Sequence, residues 1–168
     1  MIYASLFGAV TAAGAYLIIP FPLVPITLQT LFLNLAAVFL GGRLAALSQV
    51  IYILLGIIGL PVFAGGKAGI GILIGPTGGY LIGFVVAAYV IGKLIEMKER
   101  PGLVWMACSM VVGLVVIYLL GVTWLAIFAK LNPKQAILMG AVRFLIGDAL
   151  KIIIAALIAL KIRDRIKL

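Results

Sequence analysis

The sequence predicts an all-α integral membrane protein, a single-domain bundle of six transmembrane helices. Three observations carry this: 66% of its 168 residues are hydrophobic, only 10% are charged, and the apolar residues gather into long runs. A soluble domain is about 45–50% apolar and about a quarter charged. A chain of this size exposes a large share of its surface, so water could not accommodate so much apolar area. Lipid is the solvent that remains.

A membrane-spanning helix needs about 20 mostly apolar residues. Six segments meet or approach that length: 3–19, 27–41, 43–59, 77–96, 102–128 and 133–162. The second and third are short and are divided at Gly41-Gly42-Arg43. The sixth is long enough to span with tilt. The first run leads directly into further membrane segments, and Met1-Ile2-Tyr3 carries no positive charge, so no removable leader is expected. No polar linker divides the chain, which is expected to be one domain over residues 1–168.

Two connections are apolar where loops are normally polar. Prolines 20, 22 and 25 forbid a helix through 20–25, because each removes a donor and restricts the residue before it. Residues 59–71 and 75–80 are rich in glycine and equally apolar. Irregular backbone at membrane depth is tolerated where it is buried in protein or lines a cavity. These loops therefore read as the lid and lining of a pocket, with a tightly packed turn as the plainer alternative.

Basic residues set the expected orientation. With the amino terminus inside, the inner connections hold eight: Arg43, Lys93, Lys98, Arg100, Lys161, Arg163, Arg165 and Lys167. The outer connections hold three: Lys67, Lys130 and Lys134. Both termini are thus expected in the cytoplasm, with the two apolar loops outside. The net charge of +9 forms no basic stripe and no soluble segment carries one, so nucleic acid is not expected as a partner.

Several chemistries are excluded. No phosphate-binding loop occurs, since Gly66-Lys67 is followed by Ala68 and Pro61 stands where the first glycine belongs. Without histidine there is no imidazole base or zinc motif. Only four acidic residues occur, three of them outside the bundle, so no catalytic carboxylate pair is expected. No catalytic residue, metal or cofactor is expected. Cys108, alone in an apolar stretch, reads as a buried small hydrophobe.

The candidate functional residues are the polar ones kept at membrane depth. Arg143, Asp148 and Lys151 lie in the last segment. A charge there costs about 2.5 kcal/mol or more, so such residues usually face the bundle interior or a cavity. At 100° per residue, all three fall within an arc of about 140°, and Asp148 and Lys151 are i,i+3 neighbours able to pair. Such a pair adds little net stability, which favours a ligand-binding role over a purely structural one. Gly147 beside them leaves the backbone approachable. Thr27, Gln29, Thr30, Asn34, Gln49 and Tyr52 can hold a polar ligand or join helices by hydrogen bonds. Thr27 and Gln29 stand out by adjoining the first loop. Ala4, Gly8 and Ala12 form a small-residue stripe suited to close helix contact, within the bundle or with another subunit.

Four stretches together resemble the BioY family of biotin-binding S components of energy-coupling factor (ECF) transporters. They are VPITLQT at 24–30, GLPVFAGG at 59–66, GPTGGYLIGF at 75–84, and G-D-x-x-K at 147–151. The resemblance implies a six-helix S-component fold in a prokaryotic plasma membrane, with both termini cytoplasmic. It implies capture of biotin from outside for import driven by a transmembrane T component and two cytoplasmic ATPases. It places Asp148 and Lys151 in the biotin site, with Thr27 and Gln29 from the first motif; Gly66 and Tyr80, which lie in the middle motifs, are further candidates for substrate binding. By the resemblance, Ala4, Gly8 and Ala12 would contact the T component. Biotin carries a ureido ring, an apolar bicycle and a carboxylate. Asp148 can accept from the ureido N–H groups, Lys151 can serve the carbonyl or the carboxylate, and Val62, Phe63 and Tyr80 can cover the hydrocarbon. Lys67 can meet the carboxylate or stand as a solvated loop lysine. A stand-alone biotin carrier, working without ATPases, is the alternative.

Overall fold

In the computed structural model, residues 1–20 and 22–163 are described, without the Arg163 side chain. Phe21 of the first loop and Asp164, Arg165 and Lys167 of the charge pattern lie outside the described residues, as does the Arg163 side chain. The architecture is predominantly helical. Its elements are α1 (Ile2–Tyr16), β1 (Ile18–Ile19), β2 (Ile26–Thr27), α2 (Gln29–Ile57) and α3 (Ile70–Ile74). There follow α4 (Gly78–Glu96), α5 (Leu103–Phe128), α6 (Pro133–Gly140), a 3-10 turn (Val142–Phe144) and α7 (Leu145–Arg163). Among the described residues, α4 and α5 are each long and apolar enough to cross a membrane, and α2 reaches that length only as a whole, since it is interrupted at Gly41. Side chains such as Val104, Ile127 and Ile146 are exposed on the outside, as lipid as solvent requires.

α2 is two helices joined at Gly41, where φ is +74°. Only glycine adopts that conformation without strain. Its two arms, 29–40 and 42–57, run antiparallel: Gln29 hydrogen-bonds Tyr52, which a straight helix would hold about 35 Å away. The expected division at Gly41-Gly42-Arg43 is therefore present, and it is a hairpin. Glu96 at the end of α4 secures it by accepting from Gly42 N at 2.7 Å while pairing with Lys93 at 2.6 Å.

Two expected segments end differently. The first stops at Tyr16 instead of residue 19, because Pro20 favours an extended conformation for Ile19. Ile18 and Ile19 pair instead with Thr27 and Ile26, and this two-stranded ribbon closes the proline-rich loop. The expected run 133–162 is broken between Gly140 and Leu145. At the break, Tyr80 of α4 donates its hydroxyl to the Gly140 carbonyl at 2.7 Å, replacing the helical bond lost there. Asn132 caps the start of α6 by accepting from Gln135 N, with Pro133 at its first position.

The break corrects one expectation. Arg143 lies in the 3-10 turn and is exposed, away from the interior face shared by Asp148 and Lys151. Cys108 is also exposed, on the outer face of α5, and is not a buried hydrophobe. The small-residue stripe is buried against the chain's own α2: Ala4 is fully buried, and a Cβ on Gly8 would lie 3.0 Å from the Ser48 carbonyl. Ala4, Gly8 and Ala12 therefore make close contact within the bundle, the first of the two uses that the stripe allows.

Candidate substrate-binding site

The two unusual loops and helices α2, α4, α5 and α7 surround a cavity of about 170 Å³. Residues 23–27 of the proline-rich loop form one wall. Phe63, Ala64 and Lys67, with residues of α3 and the loop after it, form another. Gln29, Thr30, Tyr52, Tyr80, Leu81, Phe84, Ile117, Tyr118, Phe144, Asp148 and Lys151 complete the lining.

Local bonding explains why such irregular chain holds its place. Gly66 N donates to Phe63 O and Phe63 N to Lys67 O, both at 2.9 Å, closing a tight turn with Gly65 and Gly66 at positive φ. Gly69 N binds Gly56 O at 2.8 Å, Trp124 Nε1 donates to Gly75 O at 2.8 Å, and the Tyr16 hydroxyl donates to Pro61 O. Beneath the turn Phe63 meets Tyr52 edge-to-face, with ring centroids 5.7 Å apart.

Because α7 begins afresh after the break, Asp148 falls in its first turn, where the positive end of the helix dipole favours a carboxylate. Lys151 Nζ reaches Asp148 Oδ1 at 2.8 Å, and the two residues are only 6% and 7% exposed. Thr30 donates to the same Oδ1 at 3.2 Å and accepts from Lys151 at 3.1 Å. Tyr118 donates to Oδ2 at 2.6 Å. Buried charges persist only when paired and hydrogen-bonded, and this tetrad supplies both the pairing and hydrogen bonds.

A second polar group comes from the first loop. Thr27 donates to Gln29 Oε1 at 2.7 Å, and Gln29 Nε2 donates to the Tyr52 hydroxyl. The structure thus brings Asp148, Lys151, Thr27, Gln29, Lys67 and Tyr80 around one cavity. Gly66 does not line it but makes the turn that presents Lys67. Val62 is likewise not part of the lining, whereas Phe63 is. Gln49 lies elsewhere, bonded to Thr11 and Ser48 between α1 and α2. Tyr118 escaped the sequence reading, since a lone tyrosine in an apolar run has no periodic partner.

The BioY family model matches residues 1–168. The chain belongs to the BioY family. Among its relatives, the biotin transporter BioY of Thermotoga maritima is 45% identical over 163 residues, spanning 97% of this chain and 95% of that protein. The biotin transporter BioY of Rhizobium etli is 38% identical, spanning 94% and 89%. A crystal structure of the S-component for biotin from an ECF-type ABC transporter superposes with a TM-score of 0.89. It is 26% identical and covers 97% of this chain and 89% of that one. As a BioY member with apolar helices, the chain is a membrane protein of a transporter family and not an enzyme.

Proposed function

We propose that this chain is the biotin-binding S component of an ECF-type vitamin transporter, a single six-helix membrane domain that captures biotin from the outer face. The observation that carries the reading is the buried Asp148–Lys151 pair facing a loop-covered cavity, in a chain that belongs to the BioY family. Asp148 accepts from a ureido N–H. Lys151, with two of its three N–H groups engaged by Asp148 and Thr30, offers the third to the ureido carbonyl. The aromatic and aliphatic lining covers the bicycle and chain. Thr27 and Gln29 hold the first loop to Tyr52, and Tyr80 holds the break that sets Asp148. Lys67, exposed at the rim on the turn made by Gly66, meets the carboxylate.

In this reading both termini are cytoplasmic, and a T component with two cytoplasmic ATPases drives import. Support for the orientation comes from basic residues at the helix ends opposite the Lys67 loop. Arg43 lies beside the Gly41 hairpin, Lys93 in the last turn of α4, and Lys98 and Arg100 just after it. Calorimetric titration of the purified protein with biotin tests the binding role. Tight binding by the wild type, and much weaker binding by Asp148→Asn and Lys151→Ala, is expected; equal affinities would overturn it. Biotin uptake by nucleotide-free vesicles containing only this chain would favour a stand-alone carrier over the ATPase-coupled component.

A further inference from the structure

Behind the charged pair lies a second, much smaller cavity of about 10 Å³, lined by Thr30, Asn34, Leu114, Ile117, Asp148 and Ile152. Thr30, Ile117 and Asp148 line both cavities and so form the wall between them. Asn34 sits one helical turn after Thr30 on the first arm of α2 and is 95% buried, being 5% exposed. Its amide makes no hydrogen bond to the described residues, and it shares the polar side of this recess with Thr30 and Asp148. An amide secluded from bulk solvent but opening onto a recess can be satisfied by a water held there.

We propose that this recess is a binding site for one water molecule, through which Asn34 acts as a positioning residue for Asp148. The volume matches a single water, and a buried water needs two to four polar partners. Asn34 supplies an N–H donor. Thr30 supplies an acceptor: its hydroxyl donates to Asp148 and accepts from Lys151, leaving one lone pair. The water accepts from Asn34 and donates to Thr30, with the Asp148 carboxylate as its third polar wall. Thr30 is thereby fixed in the rotamer that binds both members of the ion pair. A sodium ion would suit the same oxygens less well, because the Lys151 ammonium already stands 2.8 Å from Asp148 and 3.1 Å from Thr30.

The functional consequence rests on the biotin reading; the water site itself does not. Asn34→Leu fills the recess without hydrogen bonding and is expected to weaken biotin binding about tenfold, without lowering the melting temperature. Asn34→Ser leaves room for a second water and should stay within about threefold of the wild type. Thr30→Val should weaken binding on its own, and adding Asn34→Leu to it should cost less than a further twofold, because Asn34 acts through Thr30. Full affinity in Asn34→Leu, or a tenfold loss in both backgrounds, would overturn the proposal. So would wild-type binding that depends on sodium rather than choline in the buffer. A high-resolution crystal structure of the wild type reads the site regardless of biotin. Water within hydrogen-bond distance of both Asn34 and Thr30 is expected, and a recess lacking it refutes the site even where biotin binding succeeds.

Discussion

Tyr118 on α5 donates a 2.6 Å hydrogen bond to Oδ2 of Asp148 on α7, thirty residues further along the chain. The bond crosses between two helices and ends on a buried carboxylate that also pairs with Lys151. Such bonds contribute about 1.5–3 kcal/mol, more than neutral ones. Tyr118→Phe keeps the ring in the cavity wall and removes only this donor. Biotin affinity measured by calorimetry is expected to fall by at least about tenfold. An unchanged affinity would mean that Lys151 and Thr30 alone orient the carboxylate.

The Asp148–Lys151 pair makes a prediction about stability that differs from its effect on binding. Removing one member leaves the other charge buried and unpaired, which costs about 3–5 kcal/mol, whereas replacing both with apolar groups is often neutral. Asp148→Leu and Lys151→Met are each expected to melt well below the wild type in detergent. The double variant should recover most of that loss and still fail to bind biotin. A double variant less stable than either single would show that the pair holds the fold together.

Much of the site was legible in the sequence because it depends on local signals. Prolines 20, 22 and 25 and the glycines of 59–71 announce irregular chain, and a carboxylate and a lysine three residues apart in an apolar run announce a pair. The division at Gly41 was legible for the same reason. What could not be read depends on partners distant in sequence. The break after Gly140 involves a hydroxyl from Tyr80, sixty residues away, and it turns Arg143 outward. Which face of α1 is buried depends on the α2 hairpin, and that removes Ala4, Gly8 and Ala12 from the outer surface. Cys108 lies in an apolar run, but composition cannot distinguish a lipid-facing from an inward-facing position there.

Gly56 is predicted to be intolerant of a single added methyl group. A Cβ there would stand 2.2 Å from the Phe63 ring, and Phe63 is 1% exposed beneath the second loop. Overpacking of this kind costs about 1–3 kcal/mol. Because Phe63 packs on Tyr52, the strain reaches the cavity wall. Gly56→Ala should lower both the melting temperature and the biotin affinity. Gly102→Ala, where nothing lies within 4 Å of the added carbon, should change neither. Equal behaviour of the two variants would separate Phe63 from the site.

Lys67 offers the sharpest separation of one ligand group from the rest. It is exposed on the turn closed by Phe63, and its ammonium makes no hydrogen bond to the described residues. An exposed ion pair contributes about 0.2–1 kcal/mol, and salt screens it. Lys67→Ala should therefore weaken biotin binding only about two- to fivefold, far less than loss of Lys151. Biotin methyl ester lacks the carboxylate charge, so the wild type and the variant should bind it equally. Raising the salt concentration should narrow the wild-type advantage for biotin and leave the ester unaffected. An equal loss for acid and ester would instead assign Lys67 to the shape of the loop.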